Sequence, residues 1–474
     1  MLHGMNAFPG YDCELAWHFD PDLLRRYDKP GPRYTSYPTA PHFHDGFGGE
    51  ELRAAAGRSL RQHPQRGLSL YVHVPYCRNP CFYCGCNRVI TRDESRGRPY
   101  VERVLREAAM IAPAFAGREV VQLHFGGGTP NFLSPALLGE LVAGLAELFR
   151  FSGSPERDVS IELDPRTVTP ADVAELARIG FNRASLGVQD FDPEVQRAIN
   201  RVQGVDETLA IIRACREAGM RSVNVDLIYG LPMQNLFGFA RTLDIVLAQR
   251  PDRLAIYGYA HLPQMFRAQK QIEEADLPDA EARLNLLGLA VRHLSRAGYQ
   301  YIGMDHFALP GDELARAQRQ GGLHRNFMGY TTHADTDLLG LGVSAISHVG
   351  DSYAQNPRTL PEWEAALDVG NLPTWRGLQL DADDEIRADL IQRLMCQGEV
   401  DTVAFGQCHG LDFDAYFAEE LASLLPLQAD GLVKRDGANI RATRQGKPLL
   451  RLIAMCFDRY LRRPDQPARY SKAI

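Results

Sequence analysis

The chain has 474 residues, 45% of them hydrophobic and 23% charged, and a formal net charge of −7. That is the composition of a globular protein with room for two or three domains. It gives no global positive field for nucleic acid or an acidic membrane surface, so a polyanionic ligand must be met by a local group of Arg or Lys. No run of eighteen apolar residues marks a membrane span, and the first residues lack the basic-then-apolar order of a secretory signal. Nine cysteines without a paired framework fit a reducing cytoplasm, the expected location.

Residues 1–65 precede the first strong strand and are expected to form an N-terminal extended segment. Their notable piece is YDKPGPRYTSYPT, residues 27–39, whose prolines and glycine preclude a long helix. It concentrates Lys29, Arg33, Tyr34, Thr35, Ser36 and Tyr37, groups suited to binding carboxylates. The plainer reading is a tail packed on the surface.

An alternating apolar run at 68–74 predicts a β-strand, and it leads straight into YVHVPYCRNPCFYCGCN, residues 71–87. Pro75 and Pro80 stop regular structure, so Cys77, Cys81 and Cys84 fall on a loop in Cys-x3-Cys-x2-Cys spacing, with Cys86 two residues on. Three thiolates on one loop suit a metal or one face of an iron–sulfur cluster. A disulfide is disfavoured because nothing else looks secreted. A structural zinc usually takes two cysteine pairs, or cysteine pairs with histidine. Here Cys13, Cys215, Cys396, Cys408 and Cys456 are isolated, although Cys86 is available as a fourth ligand. A cube held by three cysteines leaves one iron open, which is a catalytic arrangement.

From there strands and helices alternate. Strands are predicted at 68–74, 120–125, 159–163, 183–188, 222–228 and 253–259. Helical stretches are predicted at 99–112, 135–149 and 170–179, in pieces through Ala218, and at 236–248. This order argues for a parallel sheet with helices outside, either open or closed into a barrel. The polar residues arbitrate. The cysteine loop follows the first strand and GGGTP (126–130) the second. Glu162 and Asp164 close the third, Gln189 the fourth and Asp226 the fifth, and Tyr257, Tyr259 and His261 end the sixth. Any one of these alone reads as a turn or cap. All six strand ends together point to the face on which parallel barrels build active sites, here in an incomplete barrel whose open side admits a large substrate.

Residues 278–350 hold a helix, an apolar strand at 299–304, the loop MDHFALP and LLGLGVSAISHVG (338–350). Gly340-x-Gly342-x-x-Ala345 matches a dinucleotide fingerprint only superficially, since no strand–turn–helix unit surrounds it. A close backbone approach is the better reading. Helices at 382–396, 412–425 and 449–461, with a hairpin at 431–443, suggest a small winged-helix-like domain. Without a basic stripe, its expected role is packing or a lid rather than DNA binding.

Four motifs, YDKPGPRYTSYPT, CRNPCFYCGCN, GGGTP and LGVSAIS, give the chain a likeness from about Tyr27 to the closing ARYSKAI. It resembles the oxygen-independent coproporphyrinogen III oxidase family of radical S-adenosylmethionine (SAM) enzymes. The resemblance implies an α/β fold with a partial (β/α)6 TIM-like barrel of the radical SAM type, residues 66–375, and a small mainly helical domain, 376–474. It implies a [4Fe-4S] cluster on Cys77, Cys81 and Cys84, with Cys86 close by but not a ligand. It also implies two molecules of SAM. Tyr71, Tyr83, Gly127, Glu162 and Ile346 match the neighbours of the first, which chelates the open iron. Gly128, Thr129, Gln189, Arg201, Asp226 and Ala260 match those of the second.

The implied reaction is oxidative decarboxylation of two propionates of coproporphyrinogen III to vinyl groups, giving protoporphyrinogen IX. A SAM-derived radical takes a β-hydrogen from each propionate. A low-potential donor of flavodoxin or ferredoxin type and a monomeric state are expected, with no nucleic-acid or membrane partner. Arg33 is the candidate for binding a substrate carboxylate. The alternatives are a haem chaperone of the same superfamily, a radical SAM methyltransferase and a zinc-stabilised barrel.

Overall fold

Six strands form where the apolar alternation predicts them: β1 (Gly67–Val74), β2 (Glu119–Gly127), β3 (Asp158–Leu163), β4 (Arg183–Gln189), β5 (Ser222–Tyr229) and β6 (Arg253–Gly258). These come from a computed structural model that describes residues 20–462 and Tyr470. Cys13, the rest of the first nineteen residues and all of ARYSKAI but Tyr470 lie outside the described residues. The six strands are hydrogen-bonded in parallel and in chain order. Leu68, Leu70, Val72 and Val74 of β1, and their counterparts on the other strands, are fully buried in one core with the connecting helices. Several of those helices start on side-chain caps: Ser134 caps Pro135–Leu148, Asn235 caps Leu236–Ala248, and Thr169 and Asp172 form a reciprocal capping box ahead of Pro170–Ile179.

Both sheet edges differ from expectation. The stretch read as a close backbone approach is a seventh parallel strand, β9 (Thr336–Leu341), paired with the free edge of β1 from Gly67↔Thr336 to Val72↔Leu341. The close approach is also there: a Cβ on Gly340 would stand 2.6 Å from the Ile346 carbonyl oxygen. At the far edge, β7 (Gln300–Gly303) and β8 (His306–Ala308) form a hairpin. β8 pairs antiparallel with β6, so the middle of the predicted MDHFALP loop, His306–Ala308, is strand. The sheet continues past β9 through antiparallel strands and never returns to β8, so the barrel stays open.

The N-terminal region is less extended than expected. It contains the helices Pro21–Tyr27 and Gly49–Gln62. The second, rich in charge, buries Leu52, Ala55, Ala56 and Ser59 at three- and four-residue spacing against the barrel. Between them, residues 28–39 carry no helix. Leu23, Tyr27, Tyr34 and Tyr37 share a core with the C-terminal domain. That domain has the helix Ala382–Gln397, an unpredicted helix Thr402–His409, and the hairpin Val433–Asp436/Asn439–Ala442. Glu399–Asp401 extends the hairpin to three strands. The helix expected over 412–425 is two, Phe413–Tyr416 and Ala418–Ala429, and the last helix is only Leu450–Met455. No helix among the described residues is long and apolar enough to cross a membrane.

A buried ion pair holds β9 in place. Arg118 meets Asp337 at 3.0 Å, both side chains at most 1% exposed, and Asp337 also accepts from Ser59 Oγ (2.7 Å) and Gly350 N (2.9 Å). Arg66 also reaches Asp337, at 3.6 Å, so removing Arg118 leaves a buried carboxylate with one distant partner, at a cost of up to about 3–5 kcal/mol. Thermal melts should therefore show a large loss for Arg118→Ala and a much smaller one for Ser59→Ala, about 1 kcal/mol. Equal melting temperatures for Arg118→Ala and the parent chain would show that this pair does not anchor the seventh strand.

Candidate active site at the strand ends

The cysteine loop leaves β1 and is tied off at once. Tyr76–Cys77 pairs in parallel with Val89–Ile90, closing residues 78–88 into a loop. Arg88 donates to the carbonyls of Cys84 (2.8 Å) and Cys81 (3.1 Å) from inside it. From outside, Asn200 donates to the Pro80 carbonyl (2.7 Å), Phe82 N to the Ile199 carbonyl (3.0 Å) and Gln269 to the Tyr83 carbonyl (2.9 Å). Cys77 and Cys81 are buried, Cys84 half-buried and Cys86 exposed.

All four cysteines line one cavity of about 330 Å³ at the C-terminal ends of the strands. Tyr83 of the loop, Gly127 closing β2, and Gly128 and Thr129 after it share it, with Glu162 of β3. Gln189 at the end of β4, Arg201 and Asp226 of β5 complete the predicted set that the cavity brings together. Three residues predicted to bind SAM are not on its wall. Tyr71 lies one layer behind, its ring 5.8 Å from that of His124 and its hydroxyl 3.0 Å from His73 Nδ1. Ala260 gives its carbonyl to Gln269 (3.1 Å), and Ile346 opens the strand that follows β9.

The glycines are required by the chain itself. Gly127 has φ +116°, and a Cβ there would fall 2.6 Å from the His73 ring. A Cβ on Gly128 would come within 2.6 Å of the Pro75 carbonyl oxygen. The GGGTP turn is thereby pressed against the exit of β1, and Glu162 accepts from Gly127 N at 3.1 Å.

Donors converge on the sulfurs. Thr129 Oγ1 donates to Cys77 Sγ at 3.3 Å. Arg166 and Arg201 reach Cys81 Sγ at 3.6 and 3.5 Å. Both guanidiniums also hold Asp164, Arg166 at 2.6 Å and Arg201 at 3.2 Å, and Arg201 donates to the Gly187 carbonyl at 2.5 Å. Burial pushes the Asp164 carboxyl up, but Arg201 and Arg166 outweigh it and hold the group below the usual carboxylate range. Cys84 is pushed down to about 6, first by a hydrogen bond from Cys86 and then, against burial, by Arg88. Asp226 goes the other way, up to about 6, through burial and the nearby Glu162 charge, despite bonds from Ser185 (3.0 Å) and Asn224 (2.8 Å).

An all-sulfur donor set with N–H and O–H groups aimed at the sulfurs suits an iron–sulfur cluster. Among the described residues no three His, Cys, Asp or Glu groups converge on a single-ion site.

Arg33 sits off the cavity, its guanidinium paired with Asp305 and 5.9 Å from the ring of the cavity-wall residue Tyr257. The Tyr34 hydroxyl, expected to face a ligand, donates instead to Asp458 of the C-terminal domain at 2.9 Å. Several residues escaped the sequence reading. Arg166 follows Asp164 by two positions, the one local hint of its role. Glu107 falls on the buried face of the helix Gly97–Ile111, in phase with Tyr100, Val104 and Ile111. It accepts from Gly342 N (2.8 Å), Asn356 (2.6 Å) and Trp363 (3.0 Å), fixing the turn that leads to Ile346.

Residues 71–246 match the Radical SAM superfamily and residues 380–449 the HemN C-terminal domain. An oxygen-independent coproporphyrinogen III oxidase of Pseudomonas aeruginosa is 49% identical over 94% of this chain and 96% of its own length. Its Escherichia coli counterpart is 47% identical over 97% of this chain and 99% of its own. The solved coproporphyrinogen III oxidase (HemN) from Escherichia coli, described as a radical SAM enzyme, superposes with a TM-score of 0.89. The superposition covers 94% of this chain and all of the other, at 46% identity.

Replacing Cys77, Cys81 or Cys84 by Ser should abolish bound iron after anaerobic reconstitution, while Cys86→Ser retains it. Iron per chain decides this, and loss in Cys86→Ser with retention in Cys81→Ser would reverse the ligand assignment. A second expectation concerns pH. Burial raises Glu107 to about 7, above its unfolded value of about 4.3. The stability of the protonated folded form is thus fully present below the unfolded value and lost as pH rises through 7. Melting temperatures taken from pH 4.5 to 7 should fall more steeply for the parent than for Glu107→Gln, and parallel curves would show that Glu107 does not titrate this way.

Proposed function

This chain belongs to the oxygen-independent coproporphyrinogen III oxidase family of radical SAM enzymes, and we infer that the cavity at its strand ends is where coproporphyrinogen III is converted. The reaction is oxidative decarboxylation of two propionate side chains to vinyl groups, giving protoporphyrinogen IX for haem biosynthesis. The observation that carries the site assignment is the meeting of Cys77, Cys81 and Cys84 with the GGGTP turn, Glu162 and Asp226 around a single cavity.

A [4Fe-4S] cluster, when bound, supplies the single electron that cleaves SAM and so generates the hydrogen-abstracting radical. Cys77, Cys81 and Cys84 would hold it, and exposed Cys86 would stay free. Thr129, Arg166 and Arg201 would offset the charge on the sulfurs, and Arg88 keeps the loop's carbonyls turned inward. Tyr83, Gly127 and Glu162, with Tyr71 and Ile346 behind them, would receive the SAM at the open iron. Gly128, Thr129, Gln189, Asp226 and Ala260 would receive a second SAM. Asp226 is ionised above pH of about 6 and has lone pairs to accept ribose hydroxyls. Arg201 is already engaged by Asp164, Gly187 and Cys81. Its contribution to a second SAM carboxylate would come on top of its work at the cysteine loop.

With substrate seated, the cysteine loop and the strand ends would limit the access of water to the reacting carbon. We assign residues 1–65 to an N-terminal strap, 66–375 to the catalytic barrel and 376–474 to the C-terminal domain. The one-electron donor would be a low-potential protein of flavodoxin or ferredoxin type, the chain monomeric and its place the cytoplasm.

The test is anaerobic incubation of the iron-loaded enzyme with coproporphyrinogen III, SAM and a strong reductant, followed by mass analysis of the tetrapyrrole. The expected product has lost two molecules of carbon dioxide and four hydrogen atoms, and carries two vinyl groups. Unchanged substrate alongside tight haem binding would favour the chaperone reading. In Asp226→Ala, iron content and SAM cleavage should persist while product formation is lost. Loss of SAM cleavage in that variant would show that Asp226 serves the cluster-side SAM.

A further inference from the structure

Behind the Tyr257 wall lies a second group of charges that the reaction as described does not use. Arg325, on the segment between β8 and β9, is only 5% exposed, and its guanidinium stands 4.8 Å over the Tyr330 ring. Its Nε donates to the Arg33 carbonyl at 3.3 Å, but its buried Nη1 has no partner among the described residues. His306 of β8 packs its ring 5.3 Å from Tyr330 and 5.9 Å from Tyr257, and its buried Nδ1 is likewise unpartnered. Arg33 joins this group, and Arg451, which donates from Nε to the Pro32 carbonyl at 3.1 Å, lies close enough to repel it. Partial burial, then Arg325 and Arg451, push the Arg33 guanidinium below the usual arginine range. His306 is pushed well below the usual imidazole range by burial, Arg325, Arg33 and Arg253, so it is neutral at pH 7. Asp305 is the carboxylate paired with Arg33.

A buried guanidinium nitrogen without a partner is costly and calls for an explanation. Desolvated, mutually repelling cations become favourable when a carboxylate arrives to take their hydrogen bonds. The substrate read into the neighbouring cavity carries four propionates and two of them do not react. We propose that Arg325, with His306 beside it and Arg33 above, seats the carboxylate of a propionate that is held and not decarboxylated. This rests on the reading of the cavity as the coproporphyrinogen III site. In the absence of substrate, Asp305 stands in as the anion. The Arg33 and Asp305 side chains are 36% and 15% exposed, so their pair is the outer layer of the group and the one that parts on entry.

Anaerobic titration of the iron-loaded enzyme with coproporphyrinogen III tests the proposal. Removing a charge-assisted hydrogen bond in Arg325→Gln should weaken binding by about tenfold to a hundredfold, with Arg325→Lys recovering part of the loss. Asp305→Asn removes the internal competitor and should tighten binding. Iron content, SAM cleavage and melting temperature are measured beside each variant. No binding by the parent enzyme overturns the substrate reading itself. Binding by the parent with unchanged affinity in Arg325→Gln overturns only the carboxylate seat. If Arg325→Gln proves unstable, Asp305→Asn decides alone: tighter binding upholds the seat, and unchanged or weaker binding overturns it.

Discussion

Asp164, buried between Arg166 and Arg201, is the constraint on which the rest of the site depends. Its two guanidinium partners are the same groups that reach Cys81 Sγ. Its backbone N–H donates to Asn131 Oδ1 at 2.9 Å, tying the end of β3 to the turn after GGGTP, and Arg201 extends the tie to β4 through the Gly187 carbonyl. One residue therefore fixes three strand ends and the cysteine loop relative to one another. Two cations sharing one buried anion leave a local positive excess, which suits a loop that must carry several thiolates in a chain of net charge −7. A single buried ion pair would be a doubtful source of stability. Here the arrangement is better understood as positioning charge for the sulfurs.

The same logic recurs on the other side of Tyr257. Arg33, Arg325 and Arg451 come from the N-terminal strap, the segment between β8 and β9, and the C-terminal domain. The strap buries Tyr34 and Tyr37 in the C-terminal core while sending Arg33 back to Tyr257. Three parts of the chain distant in sequence thus contribute cations beside one cavity, against an overall acidic balance. The C-terminal domain acts as the clamp that keeps the strap against the barrel.

The sequence shows the alternation of strands and helices because apolar period-two runs between prolines and glycines are local signals. It also shows the cysteines, the glycine turn, Glu162, Gln189 and Asp226, because each lies in the C-terminal part of a parallel strand or on the loop that leaves it. The division of the remaining positions between two SAM molecules came from the family resemblance alone. β9 is not legible from the sequence because Gly340 and Gly342 weaken its strand signal and its pairing with β1 joins segments far apart along the chain. The helix Gly49–Gln62 was hidden by its charged face. Arg88 and Gln269 work through backbone carbonyls, and Glu107 through burial, so nothing in their neighbourhood announces them. Arg325 is recognisable only once its unpartnered nitrogen is seen against Tyr330.

The central claim is that three cysteines leave one iron open toward the glycine-lined cavity, where SAM binds. Electron paramagnetic resonance of the reduced, iron-loaded enzyme, recorded anaerobically before and after adding SAM, addresses it most directly. The account predicts that SAM alters the cluster signal in the parent protein and in Cys86→Ser alike. A signal that SAM leaves unchanged in both would contradict it, because a fully ligated cluster has no iron to offer.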